Sequence, residues 1–205
     1  VTKSDDIKTV ADLKGKRIAV TRGTDPHIFL VRALAEANLT EKDVKLVLLQ
    51  HADGRLALER GDVDAWAGLD PLMASAEVEG GARLFYRKAA ANSWGILNVR
   101  EAFANDNPEI VKRVISAYEK ARKFAVQNPK ALSDALVGVT KLPETVIARQ
   151  LERTELTHGP IGAPQTETIT AAGLALQNAG VLDAAVDIKA TVANLIEPKY
   201  LAVQP

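Results

Sequence analysis

The first half of the chain alternates short apolar runs with helical stripes. Lys16-Arg17-Ile18-Ala19-Val20-Thr21 reads as a strand centred on Ile18, Ala19 and Val20, and Gly23-Thr24-Asp25-Pro26 punctuates after it. Thr24 or Asp25 can cap a helix start, and Pro26 suits a first helical turn. Ile28, Leu30, Val31, Leu34, Ala35 and Ala37 then recur at the spacing of one helical face. Lys45-Leu46-Val47-Leu48-Leu49 reads as a second strand, and residues 52–60 as a short helix stopped by Gly61. Val63-Asp64-Ala65-Trp66-Ala67 predicts a third strand, Asp70-Pro71 a further helix start, and Ala82-Arg83-Leu84-Phe85-Tyr86 a fourth strand. Strands alternating with helices predict βαβ units, hence a largely parallel sheet with helices on both faces.

The period changes in the second half. Trp94-Gly95-Ile96-Leu97-Asn98-Val99 has the look of one more strand, taken as 93–99. From Pro108 to residue 127, Ile110, Val111, Val114, Ile115, Tyr118, Ala121, Phe124 and Ala125 mark a long amphipathic helix. Asn128-Pro129 breaks it, and helices are expected at about 130–138, 143–153 and 164–179. A helix-rich body needs a sheet to cover, and one strand in this half is too few. Part of the second body is therefore expected to be absent from the chain.

Composition narrows the function classes. Of 205 residues, 47% are hydrophobic and 25% charged, with a formal net charge of zero. The chain has the balance of a globular protein and no basic surplus for nucleic acid or anionic membrane. An anion site must then be local. The absence of cysteine removes thiolate chemistry and Cys-ligated metals. No apolar run approaches the roughly 18 residues that span a bilayer. The first six residues are polar, so no signal peptide is visible.

Three stretches could carry chemistry. In Arg22-Gly23-Thr24-Asp25-Pro26-His27, a strand leads into a helix start, where free amides and the positive end of the helix dipole attract anions. Gly23 allows close approach and Thr24 adds a hydroxyl; the bland alternative is an ordinary capped turn. In Asp64-Ala65-Trp66-Ala67-Gly68-Leu69-Asp70-Pro71, Trp66 stands near a strand's carboxyl end, where open α/β sheets bind ligands. Alternatively Trp66 is core and Asp70 a cap. Asn92 and Ser93 precede the 93–99 strand between the two bodies and could bond a ligand or form a turn. His27, His51 and His158 show no metal-ligand spacing, and no metal or cofactor is implied.

These residues resemble a known family. Ile7 to Val20 is similar to the "T-x-x-D-L-K-G-K-x-I-A-V" opening of the second lobe of type II periplasmic binding proteins. Gly23 to His27 resembles the "G-S-S-x-H" turn of the aliphatic-sulfonate, taurine and nitrate branch, the NMT1/THI5-like group. Leu56 to Trp66 resembles its "A-x-x-x-G-x-V-D-A-W", Asp70-Pro71 its "D-P", and Asn107-Pro108-Glu109 its "N-P-E" helix start. The pattern departs at Leu69, where a second aromatic is common, and at Thr24-Asp25, where Ser-Ser is usual.

The resemblance implies an α/β type II periplasmic binding protein fold with two lobes around a cleft. Residues 8–90 would be a complete lobe two and 91–205 the helix-rich remainder of lobe one, whose N-terminal part is absent from the chain. It implies an exported, periplasmic, monomeric solute-binding protein of an ABC transporter, partnered by a permease, with no cofactor and no catalysis. Thr24, Asp25 and His27 would contact the anionic head of a sulfonate, Trp66 and Asp70 would line the cleft, and Asn92 and Ser93 would close it. A chain short of half its contacts should bind weakly. Nitrate, bicarbonate or a thiamine-precursor pyrimidine are rival ligands. A pyrimidine-synthesising enzyme consuming His27 or His158 is the rival activity.

Overall fold

Ile18 and Val20 point to one side of a strand and Ala19 to the other, and this alternation organises the first body. In the computed structural model, which describes residues 1–91, 94–157 and 160–201, β1 (Arg17–Val20) lies between β2 (Lys45–Leu48) and β3 (Ala65–Trp66). Both pairings are parallel, with Ile18 opposite Leu46 and Ala65, and Ala19 opposite Val47 and Trp66. Thr2 extends the sheet beyond β3 by antiparallel bridges to Ala65 and Arg83.

Helices cover both faces, as the βαβ pattern requires. α1 (Asp25–Glu36) buries Leu30, Ala33 and Leu34 against Ile18, Val20 and Ala65. α2 (His51–Arg60) and α3 (Leu72–Val78) bury Ala57, Leu58 and Ala76 against Ala19 and Trp66 on the opposite face. Gly61, at φ +79°, takes the left-handed conformation that ends α2.

Two strand expectations are corrected. Of 82–86, only Arg83 pairs, exchanging backbone hydrogen bonds of 3.0 and 2.7 Å with Thr2. The 93–99 strand is not formed among the described residues: 94–100 is irregular, and Ile96, Leu97 and Val99 are exposed. An extended segment becomes a strand only beside another, and no described strand flanks this one.

The second body is helical. It comprises α4 (Glu101–Asp106), α5 (Pro108–Gln127), α6 (Pro129–Thr140), α7 (Glu144–Leu151), α8 (Ala163–Asn178) and α9 (Ile188–Leu195). Proline opens α5 and α6 and sits in the first turn of α8, where its missing N–H costs nothing. α4 and α9 were not expected from the pattern. α5 has the expected bounds, yet of its apolar stripe only Val111 is buried, while Ile110, Val114, Tyr118 and Phe124 stay exposed. α7 packs on α3 and α8 on α1, so the helices grip the first body from two sides. No helix among the described residues is long and apolar enough to cross a membrane.

Candidate functional site

Parallel strands deliver their chain ends to one edge of a sheet, and three loops converge there. β1 runs out at Val20 into Thr21-Arg22-Gly23-Thr24. The Thr24 hydroxyl donates to the carbonyl of Thr21 at 2.6 Å, which closes a tight turn. Gly23 sits at φ +76°, a conformation that disfavours any side chain. Its N–H donates to Nδ1 of His27 at 3.1 Å. The amides of His27 and Ile28 donate to the Thr24 carbonyl, and Pro26 has no N–H. The amides of Thr24 and Asp25 are left without an acceptor among the described residues, and no side chain caps the helix. Two N–H groups at the positive end of a 12-residue helix thus remain unpaired.

α2 begins beside this turn. Thr21 donates its hydroxyl hydrogen to the carbonyl of Leu49 at 2.7 Å, so its oxygen is left to accept from Nδ1 of His51 at 3.2 Å. This bond ties the end of β1 to the start of α2, which carries no side-chain cap on Gln50.

The expected site residues divide. Thr24 is half-buried and Asp25 exposed at the turn, and Asp25 carries a carboxylate that bonds no other described residue. His27 is fully buried: besides accepting from Gly23, its Nε2 meets Oε1 of Glu41 at 2.7 Å, so neither ring nitrogen is open to a solute.

Trp66 is 1% exposed and lies in the core rather than on a wall. A Cβ on Gly54 would come within 2.8 Å of its Nε1, and one on Gly68 within 2.6 Å of its ring, so both glycines make room for the indole. Its Nε1 has no hydrogen-bond partner among the described residues.

Asp70 is held by Arg153, which makes two 2.7 Å bonds to its oxygens, and Asp70 also accepts from the amide of Ala74 at 3.0 Å. Arg153 reaches Glu77 as well, at 2.5 Å, and Arg149 joins Glu77 at 2.8 Å. Burial opposes the charge on Glu77, but hydrogen bonds from Arg149 and Arg153 outweigh it and hold the carboxyl below its usual range. Asn92, Ser93 and His158 lie outside the described residues.

Glu41, Glu77, Arg149 and Arg153 were missing from the expectations; no local motif marks them, since each acts across at least 14 residues. Asp64 is likewise a fastener. Its carboxylate accepts from the backbone and guanidinium of Arg17, and these bonds hold it below its ordinary pKa. The arrangement as a whole can bind an anion through neutral donors. Beside the turn the Thr21 hydroxyl does meet the His51 ring, but its hydrogen goes to the Leu49 carbonyl rather than to the ring.

Comparison with known proteins gives this geometry a setting. A family model described as NMT1/THI5 like matches residues 1–132. A putative aliphatic sulfonates-binding protein of Escherichia coli K12 is 34% identical over 166 residues, 80% of this chain and 52% of that protein. The crystal structure of the periplasmic aliphatic sulphonate binding protein SsuA from Escherichia coli aligns with 100% of this chain and 66% of its own, with TM-score 0.82 and 29% identity. The alkanesulfonate-binding protein SsuA from Xanthomonas axonopodis pv. citri, bound to MOPS, aligns with 94% of this chain and 67% of its own, with TM-score 0.78 and 28% identity. The chain spans about half the length of the curated relatives it matches.

Proposed function

The chain belongs to the NMT1/THI5-like family, and from that premise we propose that it serves as the solute-binding part of an ABC importer for aliphatic sulfonates. Its fold is the α/β fold of the SsuA periplasmic binding proteins. In this reading the protein is exported and monomeric and hands its solute to a permease without altering it. Residues 8–90 form one lobe and 91–205 the helical part of the other, with α7 reaching back onto α3. The observation that carries the reading is the pair of unpaired amides, Thr24 and Asp25, at the start of α1. A sulfonate is fully ionised and offers three acceptor oxygens and no proton. Neutral, fixed N–H donors suit it, and the zero net charge of the chain is no obstacle.

The pyrimidine and enzyme readings lack a comparable observation. A pyrimidine needs stacking surfaces, and Trp66 is in the core. The enzyme reading needs a reactive histidine at position 27 or 158; His27 is buried with both nitrogens engaged, and His158 lies outside the described residues.

Titration of the 15N-labelled protein with ethanesulfonate tests the proposal. The amides of Thr24 and Asp25 should show the largest shift changes. Saturating changes confined to another surface would refute the site. Asp25 supplies an internal control, because its exposed carboxylate sits beside the anion. Asp25→Ser should tighten ethanesulfonate binding by about two- to fivefold, the size expected of one exposed like-charge contact, and the gain should shrink at high salt.

A further inference from the structure

We infer that His27 and Glu41 form a clasp that fixes the anion-binding turn, acting on the solute only through Gly23. The inference rests on the sulfonate reading above. It begins with Thr40-Glu41-Lys42-Asp43. Thr40 accepts from the amide of Lys42 at 3.3 Å, and the Asp43 carboxylate accepts from the Thr40 amide and hydroxyl, both at 2.9 Å. This self-capped turn leads into β2 and holds Glu41 in place. Glu41 then receives Nε2 of His27 at 2.7 Å.

A carboxylate accepts, so Nε2 must carry the proton. Nδ1 is then a bare acceptor, as the N–H of Gly23 requires at 3.1 Å. One proton, placed by Glu41, sets the direction of both bonds. The bond to Gly23 in turn holds φ +76° at the residue preceding Thr24, and so helps keep the Thr24 and Asp25 amides clear of an acceptor among the described residues. The ring is fully buried between α1 and this turn, so it has no freedom to rotate away. With the proton on Nδ1 instead, two donors would face each other across 3.1 Å and the turn would lose its anchor.

The hydrogen bonding shows why Thr24 does not cap the helix. Thr24 spends its hydroxyl on Thr21, and no side chain caps α1. The turn is held from behind, by a ring four residues on, which leaves the front of the helix open. His27 is therefore a positioning residue rather than a ligand contact.

Two independent readouts decide the matter. The 15N shifts of the His27 ring should show the Nε2-protonated tautomer, with a through-hydrogen-bond coupling between Gly23 and Nδ1. In the ethanesulfonate titration, His27→Phe keeps the volume but neither bond, and should weaken binding about tenfold, the worth of one ordering hydrogen bond. His27→Gln retains an acceptor and a donor and should restore most of the affinity. Should the Phe variant fail to fold, Glu41→Ala replaces it: Nε2 should lose its acceptor, the Gly23–Nδ1 coupling should weaken, and binding should weaken in the same direction.

An Nδ1-protonated ring, or a folded His27→Phe protein that binds ethanesulfonate as the parent does, overturns the clasp. If the parent's Thr24 and Asp25 amides ignore ethanesulfonate, the sulfonate reading fails instead. The ring tautomer and the Gly23 coupling then rule on the clasp by themselves.

Discussion

Replacing Arg153 with alanine should lower the unfolding free energy by about 2–3 kcal/mol, less than the cost of stranding one half of a fully buried ion pair, because Arg153, Asp70 and Glu77 are part-buried. Arg153 is 8% exposed, and its fork serves two carboxylates, Asp70 in bidentate fashion and Glu77 through the remaining nitrogen. Glu77 is 9% exposed and would keep only Arg149, which is itself more than a third exposed. Asp70 would lose its partner while still accepting from Ala74 at the start of α3. The network is the chief polar joint between α3 and α7, so its loss should also loosen the helical body.

The pH dependence follows from the sign of the Glu77 shift. Its carboxyl titrates below the usual range in the folded protein, so its contribution is complete above the unfolded value and fades as pH falls through the lowered one. The gap between parent and Arg153→Ala should accordingly narrow in acid. Urea melts at neutral and acid pH measure both quantities. A loss under about 1 kcal/mol at neutral pH would mean that the pair behaves as a surface bridge.

Trp66→Ala should cost about 3–5 kcal/mol, because a full indole would leave a cavity under α2. The ring is packed between Gly54 and Gly68 and touches Ala19 and Leu58 in the second core. Trp66→Phe should cost much less, since the indole N–H has no partner among the described residues to lose. Neither change should alter the ethanesulfonate dissociation constant of the folded protein more than a few-fold. An alanine variant that melts like the parent but fails to bind would return Trp66 to the cleft wall.

Much of this was legible in the sequence. The 3.6-residue spacing from Ile28 to Ala37, with Pro26 before it, gives α1 nearly to the residue, and the apolar run at Ile18 gives β1. The resemblance in Leu56 to Trp66 and in Asp70-Pro71 pointed to the family. The roles of those same residues were harder to read. Trp66 and Asp70 look like site residues because they are aromatic or charged at a strand's carboxyl end. Their partners are Gly54 and Gly68, and Arg153, and the Asp70–Arg153 pair spans 83 positions.

No local pattern carries such pairings. His27 belongs to the same class, since its meaning depends on a carboxylate 14 residues away. The 93–99 segment differs for another reason: it is apolar, but a strand is a property of two segments, and no described strand lies beside it.

The account stands on the amides of Thr24 and Asp25 receiving a sulfonate. A crystal structure of the protein grown with ethanesulfonate tests this most directly. The account predicts sulfonate oxygens within about 3 Å of both amide nitrogens, with the Gly23–His27–Glu41 chain intact behind them. A sulfonate bound elsewhere, or protein atoms filling the start of α1, would contradict it.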